Sequence, residues 1–87
     1  MHEEIVRRTL ADLGQLTTPV ETLGPDDDLY VAGLTSHATV NVMLGLEDEL
    51  GFEFPPELLR RSTFESIGAL TRAVETALGS VNSALDS

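Results

Sequence analysis

The chain is 87 residues long and carries 15 acidic residues against five arginines, with no lysine and no cysteine, for a formal net charge of −10. This charge excludes nucleic acid as a ligand, because binding phosphates requires cations, and it disfavours an anionic membrane surface, whereas a basic protein partner would be attracted. The length predicts a single domain. The lack of cysteine excludes disulfides and thiolate sites, and no apolar run reaches the ~18 residues of a membrane span, so we expect a cytoplasmic protein. A monomer is the default expectation for a small acidic domain.

The first predicted helix runs from about Glu3 to Leu13. Val6, Leu10 and Leu13 recur at spacings of four and three, which places their side chains on one side of a helix. Gly14 follows as the expected stop, because glycine commonly ends helices. We therefore expect this apolar stripe to face the core.

A long connection is predicted over residues 15–35, which are rich in glycine, proline and aspartate. A loop of this length is uncommon in a small domain and is often functional. Three consecutive aspartates from Asp26 suggest calcium, but an EF-hand counted from there requires glycine and glutamate where Val31 and His37 stand. We therefore predict a solvated acidic loop without a metal site. The apolar residues expected to hold this loop on the core are Leu16, Val20, Leu23, Leu29 and Val31.

The second helix is predicted from Ser36 to about Leu50, with Ser36 as its N-cap and Gly51 just after its C-terminus. At ~100° per residue, one face of this helix is expected to pack on the core. That core face consists of Thr39, Val42, Met43, Leu46 and Leu50.

The opposite face of the second helix also carries two apolar residues, Val40 and Leu44, which lie one turn apart. Isolated apolar residues on a surface are normal, but a pair beside the same serine slightly favours a partner surface. The polar residues that frame the pair are His37, Asn41, Glu47 and Asp48.

The segment after the second helix contains residues typical of a strand and residues typical of a helix start. Phe52 and Phe54 alternate with a glutamate, which is a weak strand pattern. Two prolines interrupt this pattern, and the second can start a short helix, which we predict at Pro56–Arg60.

The last predicted helix has the clearest pattern, and it ends at Gly79. Ser62 and Glu65 form a capping-box pattern in front of it. The sum is an all-α fold, a four-helix bundle with three longer helices, one short helix and a long first loop. We expect the domain to occupy residues 1–79 and a flexible tail to follow at residues 80–87. The apolar stripe of the last helix consists of Phe64, Ile67, Leu70, Val74 and Leu78.

Ser36 could be a helix cap, a hydrolytic nucleophile or a point of attachment. A nucleophilic serine needs a base within hydrogen-bond reach, but adjacent helical residues such as Ser36 and His37 do not face each other. The other histidine, His2, stands at the N-terminus, and the chain has no phosphate-binding glycine loop. We therefore predict that the protein is not an enzyme and that a second enzyme can reach the Ser36 hydroxyl.

The stretch "DDDLYVAGLTS", followed by "HATVNVMLGLEDELGFEFP", resembles the acyl and peptidyl carrier proteins. That family carries the signature D-x-L-x-x-x-G-x-[DH]-S-[LI] and then an acidic second helix. Asp27, Leu29, Gly33 and Ser36 match the spacing of this signature, and residues 47–49 stand where the family keeps acidic docking residues. The residues that match its last helix are Phe64, Ile67 and Leu70.

The resemblance spans roughly residues 3–78 and implies a four-helix fold with no catalysis of its own. Ser36 would receive 4′-phosphopantetheine from coenzyme A through a separate phosphopantetheinyl transferase. The thiol of that arm would hold cargo as a thioester, which a ligase supplies and a downstream acyltransferase takes. The residues expected to contact these partners are Thr35, His37, Val40, Asn41, Leu44, Glu47 and Asp48.

Two positions depart from the family pattern: Thr35 replaces the usual Asp or His, and His37 replaces the usual Leu or Ile. "T-S-H" together with "FEFPPELLRRSTFESI" is most similar to stand-alone aminoacyl carrier proteins. Ligases that resemble class II aminoacyl-tRNA synthetases load those carriers with a small amino acid such as glycine or alanine. The alternatives are an acyl carrier for fatty-acid or polyketide chains, and an unmodified interaction module in which Ser36 is only a cap worth ~1 kcal/mol.

Overall fold

The structure, a computed structural model, describes residues 2–86 and contains helices, turns and irregular connections but no strand over that range. The α-helices are α1 (Glu3–Leu13), α2 (Ser36–Leu50) and α3 (Ile67–Asp86). Short 3-10 turns lie at Val20–Thr22, Pro56–Leu58 and Arg61–Phe64. The all-helical prediction is confirmed, and the predicted bounds of the first two helices match α1 and α2.

A single core lies between the three α-helices and the long loop. Val42 and Leu46 of α2 are fully buried as predicted, and Met43 and Leu50 pack against the core from its edge. In α1, Leu13 keeps 38% of its surface exposed and therefore lies at the rim of the core. Burial of each large apolar side chain stabilises the fold by about 1.5–3 kcal/mol relative to leaving it exposed. The largest fully buried side chains are Leu10, Leu29, Leu46, Ile67, Leu70, Val6, Val42 and Val74.

Backbone hydrogen bonds tie the long loop to the start of α3. The Leu29 N–H donates to the Glu65 carbonyl at 2.7 Å, and the Gly68 N–H donates to the Pro25 carbonyl at 2.8 Å. The prediction that Val31 holds the loop on the core is wrong, because Val31 is 83% exposed. Its N–H and that of Tyr30 both donate to the Asp28 carboxylate, and this turn directs Leu29 inward and Val31 outward.

The segment predicted as a short helix, Pro56–Arg60, contains only the turn Pro56–Leu58 and is followed by the turn Arg61–Phe64. The fourth helix, and with it the four-helix count, is therefore not confirmed. Pro56 does start a helical turn, but the backbone leaves the helical region at Leu59 (φ −87°, ψ 69°) and is extended at Arg60 (φ −142°, ψ 163°), so the turn does not grow into a helix. Aromatic packing also holds this part of the chain. Phe54 contacts the rings of Phe52 and Phe64 at centroid distances of 4.9 and 6.1 Å.

Helix α3 starts later and ends later than the sequence predicts. Ser66 caps it, because its hydroxyl accepts a hydrogen bond from the Ala69 N–H at 3.0 Å, so the predicted Ser62/Glu65 capping box is wrong. The predicted end at Gly79 is also wrong, because α3 continues to Asp86 and Gly79 lacks the left-handed backbone of a helix stop. A glycine inside a helix costs only about 1 kcal/mol.

The domain bounds 1–79 and the flexible tail at 80–87 stay predictions. Met1 and Ser87, at the ends of those two ranges, lie outside the described residues.

Candidate functional site

Ser36 is the first residue of α2, and its side chain is exposed. The N-cap of α2 is Thr35, which has an extended backbone and whose hydroxyl accepts a hydrogen bond from the Ala38 N–H at 3.1 Å. The prediction of Ser36 as the N-cap is therefore wrong by one residue, because Thr35 is the last residue with non-helical dihedral angles. Within residues 2–79, nothing forms a hydrogen bond with the Ser36 hydroxyl, so capping does not occupy it.

The turn that leads into α2 depends on Gly33. Its φ of +115° lies in the region that favours glycine, and a Cβ there would meet the Thr17 backbone nitrogen at 2.7 Å. Thr17 donates hydrogen bonds to the Ala32 carbonyl from both its N–H and its hydroxyl, at 2.8 and 2.9 Å. These hydrogen bonds from Thr17 fix the backbone at Ala32, and the close approach of Thr17 fixes it at Gly33, just before the chain reaches Ser36.

A cleft of about 390 Å³ opens beside Ser36, between the first half of α2 and the segment that precedes α3. Its walls are mainly apolar, but two arginines contribute to them. Thr39, predicted on the core face, is half-buried and lies in this cleft instead. The lining residues are Tyr30, Ser36, Thr39, Val40, Met43, Leu59, Arg60, Arg61 and Phe64.

Tyr30 connects the long loop to the segment before α3, and both border the cleft. The Arg61 guanidinium lies 3.9 Å from the centre of the Tyr30 ring, and the Tyr30 hydroxyl donates to the Arg61 carbonyl at 2.8 Å. Burial raises the pKa of Tyr30, and the positive charge of Arg61 opposes part of that rise. The phenol is therefore a protonated donor at neutral pH, as its hydrogen bond to the Arg61 carbonyl requires.

Sequence reasoning missed Tyr30, Arg60 and Arg61 as cleft residues. The available signal was the adjacent pair of arginines in a chain with only five basic residues. Nothing in the sequence placed that pair near Ser36, because Arg60 lies 24 positions after Ser36 in the chain.

Most of the predicted partner residues lie on the surface of α2. Val40 and Leu44 are 49% and 52% exposed, His37 and Asp48 are exposed, and Thr35 caps the helix as described. Their contact with partners stays a prediction. Asn41, the remaining predicted contact apart from Glu47, is half-buried.

Glu47 differs from the other predicted partner residues, because its carboxylate is used inside the protein. It accepts a hydrogen bond from the N–H of the buried residue Phe54 at 2.8 Å. This bond holds the segment after α2 against the helix, a structural role that the sequence did not predict.

The described residues offer little for catalysis or metal binding. His2 lies 3.4 Å from the Glu75 carboxylate, while His37 neighbours Ser36 on one helix and cannot face it. The carboxylates of Asp27 and Asp28 accept backbone N–H groups in the loop. Within the described residues, no group of three or more His, Cys, Asp or Glu side chains could hold a metal ion. None of the helices in residues 2–86 combines the length and the hydropathy of a membrane span.

The residues around Ser36 fit the covalent arm that the carrier-protein resemblance implies. An arm on this oxygen would leave from an exposed helix start at the edge of an open cleft. No described side chain would need to move to free the hydroxyl from a hydrogen bond.

Comparison with known proteins gives consistent matches over most of the chain. A family model described as a phosphopantetheine attachment site matches residues 4–74. The aminoacyl carrier protein of Agrobacterium fabrum is 48% identical over 73 residues, which make up 84% of this chain and 88% of that protein.

Two solved structures also have similar folds. One is an engineered Bradyrhizobium japonicum glycine:[carrier protein] ligase complexed with carrier protein from Agrobacterium tumefaciens and ATP. The matching chain in that complex is 45% identical to this one, with a TM-score of 0.83, and the match covers 87% of this chain and 99% of that chain. The other is a holo acyl carrier protein from Nitrosomonas europaea, which is 33% identical with a TM-score of 0.80, over 91% of this chain and 98% of that chain.

Proposed function

Since the chain belongs to the phosphopantetheine attachment site family, we propose that it carries an aminoacyl group as a thioester on a 4′-phosphopantetheine arm attached to Ser36. The observation that carries this proposal is the exposed Ser36 hydroxyl at the start of α2, which caps nothing and faces an open cleft. The chain has no cysteine, so the arm supplies the thiol that thioester chemistry requires.

The chain's own residues present the hydroxyl. Thr35 fixes the start of α2 and leaves Ser36 as the first helical residue, while the backbone at Gly33 sets the direction from which the loop enters the helix. A phosphopantetheinyl transferase would bring the base that removes the hydroxyl proton. No side chain of residues 2–79 forms a hydrogen bond with this hydroxyl, so none of them is in position as a base, which supports the proposal that the protein is not an enzyme.

The proposed loading partner is a ligase that activates a small amino acid, with glycine as the first candidate. The support is the 45% identical match to a chain in a glycine:[carrier protein] ligase complex and the 48% identical aminoacyl carrier protein. A carrier for fatty-acid or polyketide chains is not favoured, since these relatives are more similar than the 33% identical acyl carrier protein. An unmodified interaction module is not favoured either, since residues 4–74 match the phosphopantetheine attachment site family.

We propose that the ligase docks on the exposed face of α2, where Val40 and Leu44 provide apolar contact and Asp48 provides negative charge. A transferase and a downstream acyltransferase would use the same face in turn. An excess of negative charge would attract basic surfaces on these enzymes. A monomeric state and a cytoplasmic location remain part of the proposal.

Intact-mass measurement tests the function in two steps. Incubation with coenzyme A and a promiscuous transferase should add the mass of one phosphopantetheine to the wild type and to the control Ser62→Ala, but not to Ser36→Ala. Incubation of the modified protein with a glycine-activating ligase, glycine and ATP should then add one glycyl group. An unmodified wild type with several transferases would overturn the proposal, and loading by fatty acyl donors alone would overturn the aminoacyl cargo.

A further inference from the structure

Four of the five arginines of this acidic chain form two adjacent pairs, and the fifth is Arg72 in α3. Arg7 and Arg8 in α1 are neutralised, because Arg7 pairs with Glu3 at 2.9 Å and Arg8 pairs with Glu49 at 2.7 Å. Arg60 and Arg61, in the segment before α3, form no ion pair with any carboxylate of residues 2–79, and both line the cleft that contains Ser36. In a protein of net charge −10, two cations without an ion-pair partner among those residues thus line the same cleft as the proposed attachment residue, although the carboxylates of Asp28 and Glu65 act on the Tyr30 ring that Arg61 covers.

The start of α2 adds to this positive environment. The first N–H groups of an α-helix have no partner within the helix, and the helix dipole places partial positive charge at this end. The Thr35 hydroxyl satisfies the Ala38 N–H alone. Ser36, as the first helical residue, is therefore bordered by helix N–H groups on one side and by the cleft with its two arginines on the other.

Attachment of the arm would place a phosphodiester, with one negative charge, on the Ser36 oxygen. We propose that Arg60 and Arg61 hold this phosphodiester at the mouth of the cleft and so fix the direction in which the arm leaves the protein. This inference rests on the proposed modification of Ser36. Guanidinium groups suit the role, since their donors match the geometry of phosphate oxygens.

The two arginines contribute differently because only one is already positioned. Arg61 is held over the Tyr30 ring at 3.9 Å, and its carbonyl accepts the Tyr30 hydroxyl. Its guanidinium is therefore pre-organised at the cleft. Arg60 is exposed, and lines both this cleft and the neighbouring groove, where Arg72 also lies. The same positive charge repels the ammonium of an aminoacyl cargo, so the cleft would hold the phosphate end of the arm and not the cargo end.

NMR spectroscopy of apo and modified protein tests this inference. The protein is first shown by intact mass to be fully modified, and then the arginine Nε–Hε signals and the ³¹P signal are recorded. On modification, the signals of Arg60 and Arg61 should shift while that of Arg72 stays in place. The double variant Arg60→Gln/Arg61→Gln should move the ³¹P signal toward that of free phosphopantetheine, and high salt should do the same in the wild type. The matched charge control Arg72→Gln should leave it unchanged.

Two further variants separate phosphate binding from a structural effect of Arg61. Arg60→Gln does not disturb the Tyr30 contact, and should by itself move the ³¹P signal part of the way. Arg61→Lys keeps the charge and should retain more of the wild-type ³¹P position than Arg61→Gln. Fully modified protein whose Arg60 and Arg61 signals do not differ from those of the apo form would overturn the inference while leaving the proposed function intact. A mass that never increases would instead overturn the proposed function.

Discussion

Replacing Glu47 with alanine should destabilise the protein, although Glu47 lies among residues predicted to contact partners. Its carboxylate accepts the N–H of the buried residue Phe54 at 2.8 Å in a part-buried hydrogen bond, and a hydrogen bond to a charged group contributes about 1.5–3 kcal/mol. Removing a negative charge near the C-terminus of α2 returns about 0.3–1 kcal/mol, because the helix dipole disfavours that charge. We therefore expect Glu47→Ala to lower the free energy of unfolding by about 1–2 kcal/mol.

Two variants separate this structural role from docking. Glu47→Gln keeps an oxygen that can accept the Phe54 N–H but removes the charge, so it should retain most of the stability. Asp48→Asn removes one charge from an exposed neighbour and should change stability by less than about 0.5 kcal/mol. Both charge-removing variants should slow loading by the ligase, and more so at low salt, if α2 is the docking face.

The assay is urea denaturation of the apo protein, monitored by circular dichroism at helix wavelengths. Thermal melts provide a second measure of stability. For a domain of this size, each kcal/mol corresponds to roughly 4–8 °C in Tm, so Glu47→Ala should melt roughly 4–16 °C below the wild type. A Glu47→Ala protein as stable as Asp48→Asn would refute the reasoning. Ligase loading that is equally fast and equally insensitive to salt in all three charge variants would show that the docking face is misplaced.

The remaining predictions concern Tyr30 and Thr35, two residues of the loop that leads to Ser36. Thr35→Ala removes the N-cap of α2 and should lower the free energy of unfolding by about 1 kcal/mol in urea denaturation, whereas Thr35→Asp should preserve it; equal stability of the alanine variant would contradict the cap. Because burial raises the pKa of Tyr30, the unfolded chain loses the phenol proton first, so the stability due to Tyr30 is present below pH ~10 and is lost as pH rises further. Tyr30→Phe should flatten this alkaline decline in stability measured between neutral and high pH, and a decline as steep as that of the wild type would exclude Tyr30 as its source.

The helices α1 and α2 could be predicted from the sequence because their signals are local. The spacing of Val6 and Leu10 marks the buried side of α1, and Gly51 ends α2 with the left-handed backbone that its position requires. Neighbouring cap residues cannot be separated in this way. Thr35 and Ser36 are both good N-caps, and the backbone dihedral angles at Thr35 decide between them.

The candidate site was predictable only in part. Ser36 and the exposed pair Val40 and Leu44 followed from spacing along one helix. The cleft did not, because Tyr30 and Arg61 meet through a contact between two loops that are 31 residues apart in the chain. Likewise, the sequence predicts that Glu47 is on the surface but not that its carboxylate turns toward the Phe54 backbone.

By itself, the sequence determined an acidic, all-helical carrier domain with a serine at the start of its second helix. Those features depend on composition, on the three- and four-residue spacing of apolar side chains, and on the order of a signature around Ser36. Only the tertiary structure decided that Thr35 caps α2, that Glu47 holds the segment after that helix, and that Arg60 and Arg61 lie at the Ser36 cleft. The Thr35 cap is a local contact, but two neighbouring residues that both cap well cannot be separated without the backbone dihedral angles. For the cleft the physical reason is range: helix periodicity acts over one or two turns, whereas the cleft joins segments that come together only when the core packs.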